Sequence, residues 1–377
     1  MKALKKILRR MLWTILIIIV LLVVVYFVFV NFYPTFGGDV SKDRQRLYQS
    51  SSNYSNHKFQ NIDSSVPPDL GLSKTLGIAY KFITTKVPNG SPSHDLQVHK
   101  VNKKQLIKQD STQLIWFGHS AFYLEMNNKS ILIDPMFGNV AAPHPWLGAN
   151  RFNSELPIEI EDLPSIDAVI ISHDHYDHLD YDSIIALKNK VSHYYVPLGV
   201  GVHLEAWGIE PTAITELDWW QEVTLGEIQL ACTPAQHFSG RKIGAEQSTL
   251  WSSWVIQNGS EKLFFSGDSG YSDHFKAIGN QYGPFDLALM ECGQYNELWS
   301  DIHMMPEETA QAGKDLNARA IMPIHWAGFK LALHDWRDPV NRVTVAGKAL
   351  NLPVITPQIG DVIHLDDTTS DYEQWWK

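Results

Sequence analysis

Six consecutive residues, His173-Asp174-His175-Tyr176-Asp177-His178, carry three imidazoles and two carboxylates. Crowding them together is costly unless something binds them, and neutral imidazole and carboxylate are ordinary ligands of zinc and related ions. A loop can turn His173 and His175 toward one metal and Asp177 and His178 toward a second. Three more residues of suitable type, His237, Asp268 and His325, each follow a short apolar run. A third imidazole would give one ion three nitrogens, a later one would join Asp177 and His178, and the two oxygens of Asp268 could bridge both ions. Any of these residues alone is more often structural; the seven together are hard to read that way. Two metals about 3.5–4 Å apart acidify a shared water and neutralise charge growing on an attacked phosphoryl or carbonyl group. The pattern therefore points to hydrolysis without a protein nucleophile, and the chain has no Gly-x-Ser-x-Gly elbow and no P-loop.

Such residues need strands that end together. Gln113 to Phe117, Ser130 to Ile133, Ala168 to Ser172, Ile228 to Thr233, Leu263 to Ser266 and Ala320 to Ile324 are apolar runs of strand length. All but the first lead directly, or within a few residues, to Asp134, His173, His237, Asp268 and His325 in turn. Tyr181 to Lys190 follows Asp180, a suitable helix N-cap. Pro306 to Leu316 opens with a proline and two acids, as a helix N-terminus prefers. The mixture predicts an α/β domain with sheets inside and helices outside.

The 377 residues carry a net charge of −10. Lys2, Lys5, Lys6, Arg9 and Arg10 are unopposed in the first thirty residues, so the remainder is more acidic still. An acidic body argues against nucleic acid as a partner. Met11 to Val30 is uncharged and long enough to span a bilayer as a helix. It outruns a signal-peptide core and ends in Asn31-Phe32-Tyr33-Pro34 without a small-residue cleavage site. The expected organisation is a basic cytoplasmic tail (1–10), a transmembrane anchor (11–30), a polar linker or stalk (31–70) and a hydrolase domain with a lead-in (71–377). The basic residues before the anchor predict a single-pass cell-membrane protein with its N-terminus cytoplasmic and its catalytic domain outside. Cys232 and Cys292 lie in apolar stretches and are expected as buried free thiols.

The spacing His173-x-His175-x-Asp177-His178, with His237, Asp268 and His325 following, resembles the metallo-β-lactamase superfamily. Longer strings are similar to its N-acylphosphatidylethanolamine-hydrolysing phospholipase D family: Trp116-Phe117-Gly118-His119-Ser120, Ile133-Asp134-Pro135, Thr233-Pro234-Ala235-Gln236-His237, Ser266-Gly267-Asp268-Ser269-Gly270-Tyr271 and Ile324-His325-Trp326. The likeness covers about residues 60–360 in one order. It implies an αββα sandwich with two zinc ions on the seven residues, iron or manganese also being compatible. It also implies a catalytic role for His303 near the reacting phosphate, with Asp177 in the catalytic set, and orienting roles for His119 and Asp134. The reaction implied is hydrolysis of N-acylphosphatidylethanolamine, a phospholipid substrate, to phosphatidic acid and an N-acylethanolamine; a homodimer is compatible with the family. Phe137, Trp146, Trp219, Trp220 and Trp299 are candidates for holding acyl chains, packing being the commoner role of such residues. One departure stands out: Met290-Glu291-Cys292-Gly293 places an acid and a thiol where apolar neighbours of the glycine are expected. Another hydrolase on the same fold, a lactonase or a phosphocholine or nucleotide phosphodiesterase, would use the same ligands. A di-iron oxidoreductase would call for a flavin segment that the chain lacks.

Overall fold

The computed structural model describes residues 1–63, 71–106, 111–259, 261–368 and 372–377. Strands β1 (Gln113–Trp116), β2 (Phe122–Met126), β3 (Lys129–Ile133), β4 (Ala168–Ile170), β5 (Tyr194–Pro197) and β6 (Ile214–Leu217) build one sheet. Strands β7 (Glu222–Leu225), β8 (Ile228–Thr233), β9 (Ser253–Asn258), β10 (Glu261–Phe265), β11 (Leu287–Glu291) and β12 (Ile321–Ile324) build a second, and β13 (Val362–His364) returns to the edge of the first. The orders are β13-β1-β2-β3-β4-β5-β6 and β12-β11-β10-β9-β8-β7.

Side chains alternate across each strand, and both faces of each sheet are apolar. Leu114, Trp116, Leu124 and Ile170 of the first sheet meet Leu230, Trp254, Phe265 and Ile324 of the second in one continuous core. The alternate residues Ile115, Tyr123, Leu132 and Val169 face outward, as do Val255, Phe264 and Met290. The helices in chain order are α1 (Lys2–Phe32), α2 (Lys42–Tyr48), α3 (Gly71–Thr84), α4 (Tyr181–Leu187), α5 (Gly201–Ala206), α6 (His274–Tyr282), α7 (Pro306–Asp315) and α8 (Asp338–Ala349), and α4 to α8 cover these outer faces. Ile184 and Leu187 of α4 and Leu204 of α5 pack on the first sheet. Phe275 and Ile278 of α6, Ala310 of α7 and Val343 of α8 pack on the second. The result is the αββα sandwich.

Strands β3 to β6 run parallel to one another, as do β10 to β12. Parallel register brings their C-terminal ends to one rim: Phe265 lies opposite Leu289, and Glu291 opposite Ile324. Every apolar run expected as a strand forms one, and Asp180 caps α4 by accepting from the Ser183 amide at 3.0 Å.

The helix α1 is long and apolar enough to cross a membrane by length and composition, and of its residues only Val30 is buried. The polar stretch expected as a free stalk behaves differently: residues 34–63 fold onto the domain, while 64–70 lie outside the described residues. Arg44 pairs with Glu205 and, at 3.0 Å, with Glu216. Tyr48 and Phe59 enter the central core beside Tyr54. These isolated aromatics, spaced without helix or strand periodicity in a polar run, gave no pattern for sequence reading to use.

Phe265 is fully buried between the sheets. Phe265→Ala should cost about 3–5 kcal/mol and lower the denaturant midpoint of the detergent-purified protein; an unchanged midpoint would show that the inter-sheet core is not continuous there.

Candidate metal centre

The seven donors expected from the sequence converge at the rim. His173, His175 and His237 form one group with Asp268; Asp177, His178 and His325 form another with His119; in each group the donor atoms lie within 4.8 Å of one another. In the first, His175 Nδ1 is 2.9 Å from His173 Nε2 and 3.2 Å from His237 Nε2. Asp268 Oδ2 stands 3.8 Å from both His173 Nε2 and His237 Nε2. In the second, His178 Nε2 is 3.5 Å from Asp177 Oδ2, and Asp268 Oδ2 is 3.1 Å from His178 Nε2 and 3.2 Å from His325 Nε2. Zinc bonds of about 2.0–2.1 Å in a tetrahedron place donors about 3.3 Å apart, and both sets scatter about that value. Two buried atoms of this donor set, His178 Nε2 and Asp268 Oδ1, have no hydrogen-bond partner among the described residues. Unpaired buried polar atoms are rare, so the donor set fits a bound cation.

Three of the donors, His178, Asp177 and His237, are held from behind. The Asp134 carboxylate accepts from the Ser172 amide at 2.7 Å and lies 2.7 Å from His178 Nδ1, which leaves His178 Nε2 facing Asp268. His119 Nε2 is 3.0 Å from Asp177 Oδ2, so His119 both backs that carboxylate and stands among the second group of donors. His237 Nδ1 donates to the Ile302 carbonyl at 3.0 Å. Such partners fix ring orientation and tautomer. The backbone is also constrained: Asp134 (φ 39°), His119 (φ 54°) and His325 (φ 66°) are left-handed, a strain typical of functional sites. Gly293 lies against the His325 carbonyl, where a Cβ would come to 1.7 Å, and Gly267 (φ 55°) precedes Asp268 where a Cβ would meet the Ser252 carbonyl at 2.6 Å.

Burial and neighbouring imidazoles push His173 and His237 well below the usual histidine range, and burial with His119 beside it does the same to His325. Burial likewise lowers His119 and His175 to about 4. These rings stay neutral, as ligands must. Burial raises Asp268 to about 6. Burial also acts to raise Asp177, but His178, His119 and His325 around it hold it well below the carboxylate range. His178, between Asp268, Asp177 and Asp134, is raised against the effect of its own burial.

Beside the donors opens a cleft of about 240 Å3 lined by Ile78, Phe82, Phe238, Trp299, His303 and Leu331 among others. His303 faces it, its ring stacked 5.4 Å from that of His325 and its Nδ1 3.2 Å from Glu291 Oε1. Of the five aromatics proposed to hold acyl chains, Trp299 lines this cleft and the others do not. Phe137 and Trp219 are buried in the outer and central apolar clusters respectively; Trp220 is partly exposed and Trp146 is 91% exposed.

Four supporting residues escaped sequence reading. Glu291, the anomalous acid, is fully buried and joins His303 to the Met304 amide, which its Oε2 accepts at 2.9 Å; its oddity in an apolar strand was the available signal. Asn61 exchanges two hydrogen bonds with the His237 backbone, at 2.8 and 3.0 Å. Asp174, inside the histidine run, faces away from the donors and accepts from the Thr249 hydroxyl at 2.9 Å and the Gly240 amide at 2.8 Å. Arg241 lies over the Tyr176 ring and donates to the carbonyls of Asp174 and Leu179 at 2.5 and 2.9 Å and to that of Thr35 at 2.6 Å. Distant in sequence, Asn61 and Arg241 carry no local motif.

Residues 129–326 match the family described as beta-lactamase superfamily domain. An uncharacterized Mycobacterium tuberculosis protein is 35% identical over 349 residues, 90% of this chain and 91% of its own length. The Caenorhabditis elegans N-acyl-phosphatidylethanolamine-hydrolyzing phospholipase D 1 is 30% identical over 289 residues, 72% of this chain and 81% of its own. Igni18, a metallo hydrolase of the archaeon Ignicoccus hospitalis, shares the fold with a TM-score of 0.51 at 21% identity, covering 67% of this chain and 98% of that one. Fold and site thus define a metal-dependent hydrolase of the metallo-β-lactamase superfamily. Within it, the chain belongs to the N-acylphosphatidylethanolamine-hydrolysing phospholipase D family.

Gly293→Ala should displace His325, lower metal content and lower the denaturant midpoint; retention of both would show that the close approach is relaxed. A second expectation concerns pH. Histidines held below their ordinary value of 6.5 refuse protons that the unfolded chain accepts, so acid favours unfolding. The chelated protein should lose stability as pH falls from 6.5 toward about 4, with His178 opposing as a single raised group; a flat midpoint across that window would refute neutral, buried imidazoles.

Proposed function

We propose that the protein is a membrane-anchored phosphodiesterase of phospholipase D type that hydrolyses N-acylphosphatidylethanolamine to phosphatidic acid and an N-acylethanolamine. The observation that carries this reading is the meeting of two donor groups at Asp268 on the floor of an apolar cleft that contains His303. His173, His175, His237 and Asp268 would hold one ion, and Asp177, His178, His325 and the same Asp268 the other, zinc suiting the nitrogen-rich sets. Ions bound there would acidify a water and screen phosphoryl charge.

The chain's own groups do the rest. Phe82, Trp299, Phe238 and Leu331 give the cleft walls that accept hydrocarbon and exclude water from the reacting phosphate. Water adds to phosphorus, and the bond from phosphorus to the ethanolamine oxygen breaks. The departing alkoxide is a poor leaving group and gains from a proton at its oxygen. His303 supplies it from Nε2, because Glu291 occupies Nδ1 and fixes the ring. The α1 helix would keep this cleft at the bilayer, with the N-terminus cytoplasmic by its basic residues and the catalytic domain outside.

Full-length enzyme in detergent, given N-acylphosphatidylethanolamine vesicles, should release N-acylethanolamine, lose that activity to chelator and regain it with zinc. No release from a sample holding metal would keep the hydrolase and discard this substrate. His175→Ala and Asp268→Ala should reduce turnover to background with the fold retained, whereas wild-type rates in either would refute the ligand assignment. His303→Ala should retain metal and lose about 10²–10⁴ in kcat; an undiminished kcat would remove His303 from the chemistry.

A further inference from the structure

Among the described residues beyond α1, the loop between β3 and β4 carries the most exposed large apolar side chain. Trp146 is 91% exposed and Leu147 61% exposed. Singly exposed apolar residues are ordinary, but the surroundings of this pair are not. The neighbouring His144 ring lies 6.2 Å from Phe29 in the last turn of α1, 5.4 Å from Tyr33 directly after that helix, and 5.1 Å from Trp146. The Thr35 hydroxyl donates to the Pro143 carbonyl at 2.8 Å. The loop therefore touches α1 where that helix leaves its apolar span.

Neither side of this contact is free to drift. At the loop base Val140 bridges to Asn150, the Arg151 amide donates to the Asn139 carbonyl at 2.8 Å, and the Arg151 side chain holds the carbonyls of Met136 and Gly138. On the anchor side, the Trp207 indole donates to the Pro34 carbonyl at 2.7 Å and Arg241 clasps Thr35. Residues 139–150 contain no Asp, Glu, Lys or Arg, although the domain as a whole is acidic. The loop thus avoids both the cost of placing charge in lipid and repulsion from anionic headgroups.

We propose that Trp146 and Leu147 form a second membrane contact, inserting into the bilayer interface beside α1. The occupant of this surface is lipid: an indole with its apolar body buried and its N–H wet belongs at that depth. This rests on α1 crossing a bilayer, as proposed above. Two contacts fix an orientation where one would leave a swivel. The loop springs from β3, whose end carries Asp134, so the rim bearing the metal centre is the part held to the membrane. Substrate lipid then reaches the cleft from the bilayer plane rather than through water.

The test uses the full chain in lipid nanodiscs with a spin label on single introduced cysteines; Cys232 and Cys292 are buried and stay unlabelled. Labels on Trp146→Cys and, independently, Leu147→Cys should be protected from aqueous relaxant and sit about 5–10 Å below the headgroup boundary. A label on Val345→Cys, on the exposed face of α8, should stay aqueous. A label on Leu21→Cys reports the anchor itself. Leu21 in lipid with positions 146 and 147 as aqueous as 345 would overturn the second contact and leave the anchor standing; Leu21 in water would overturn both. In parallel, the Trp146→Ser, Leu147→Ser double variant should raise KM for vesicle substrate about tenfold with kcat unchanged, and leave hydrolysis of a soluble short-chain substrate unaffected. An equal loss on both substrates would mark a merely structural role and overturn the proposal.

Discussion

The carboxylate of Asp268 stands where four imidazoles meet, 3.1 Å from His178, 3.2 Å from His325 and 3.8 Å from both His173 and His237. A buried carboxylate is unfavourable unless positive charge compensates it; burial keeps His173, His237 and His325 neutral, and His178 alone of the four rings is raised, by Asp268, Asp177 and Asp134 together. The fold resolves this by offering converging lone pairs to cations. Most of the rim follows from that need: left-handed backbone at His119, Asp134 and His325, and glycines at 267 and 293 where any side chain would collide with the neighbouring backbone.

Convergence depends on a sandwich in which parallel strands end at the same level. The first sheet delivers Asp134 and the histidine run, and the second delivers His237, Asp268, Glu291 and His325. Neither sheet holds a complete set of donors. The core between them, with Trp254, Phe265 and Leu289 packed against Trp116 and Ile170, therefore sets the separation of the two halves of the site. A change of volume there would reach the metal centre through the sheets, since close-packed interiors transmit strain.

The N-terminal segment is part of the same construction. Asn61 braces His237, and Arg241 ties Thr35 to the loop that carries four of the donors. A guanidinium buried against carbonyls and a tyrosine ring is held by geometry rather than by an exposed ion pair, so salt should screen it little. The chain leaving α1 is thereby fixed to the loops that carry the converging histidines. The cleft beside the donors is walled by Phe82, Phe238, Trp299 and Leu331, and the loop of residues 139–150 at the end of α1 is uncharged in an otherwise acidic domain.

The sequence by itself determined the chemical class and the strand plan. Seven donors were legible because six adjacent residues concentrated four of them, and because each of the others followed an apolar run whose period marks a buried strand. Asp180 and Pro306 announced their helices by local capping chemistry. What it left open were contacts between residues far apart: Asn61 with His237, Arg241 with Thr35, Glu291 with His303, and Ile78 and Phe82 across from Trp299. The supposed stalk was misread for the same reason, since Tyr48 and Phe59 find their partners only once both sheets exist. Periodicity and capping are local and survive in one dimension. Which distant side chains meet, which tryptophan lines a cleft and which stands in the open are decided by packing, and only the tertiary structure holds that information.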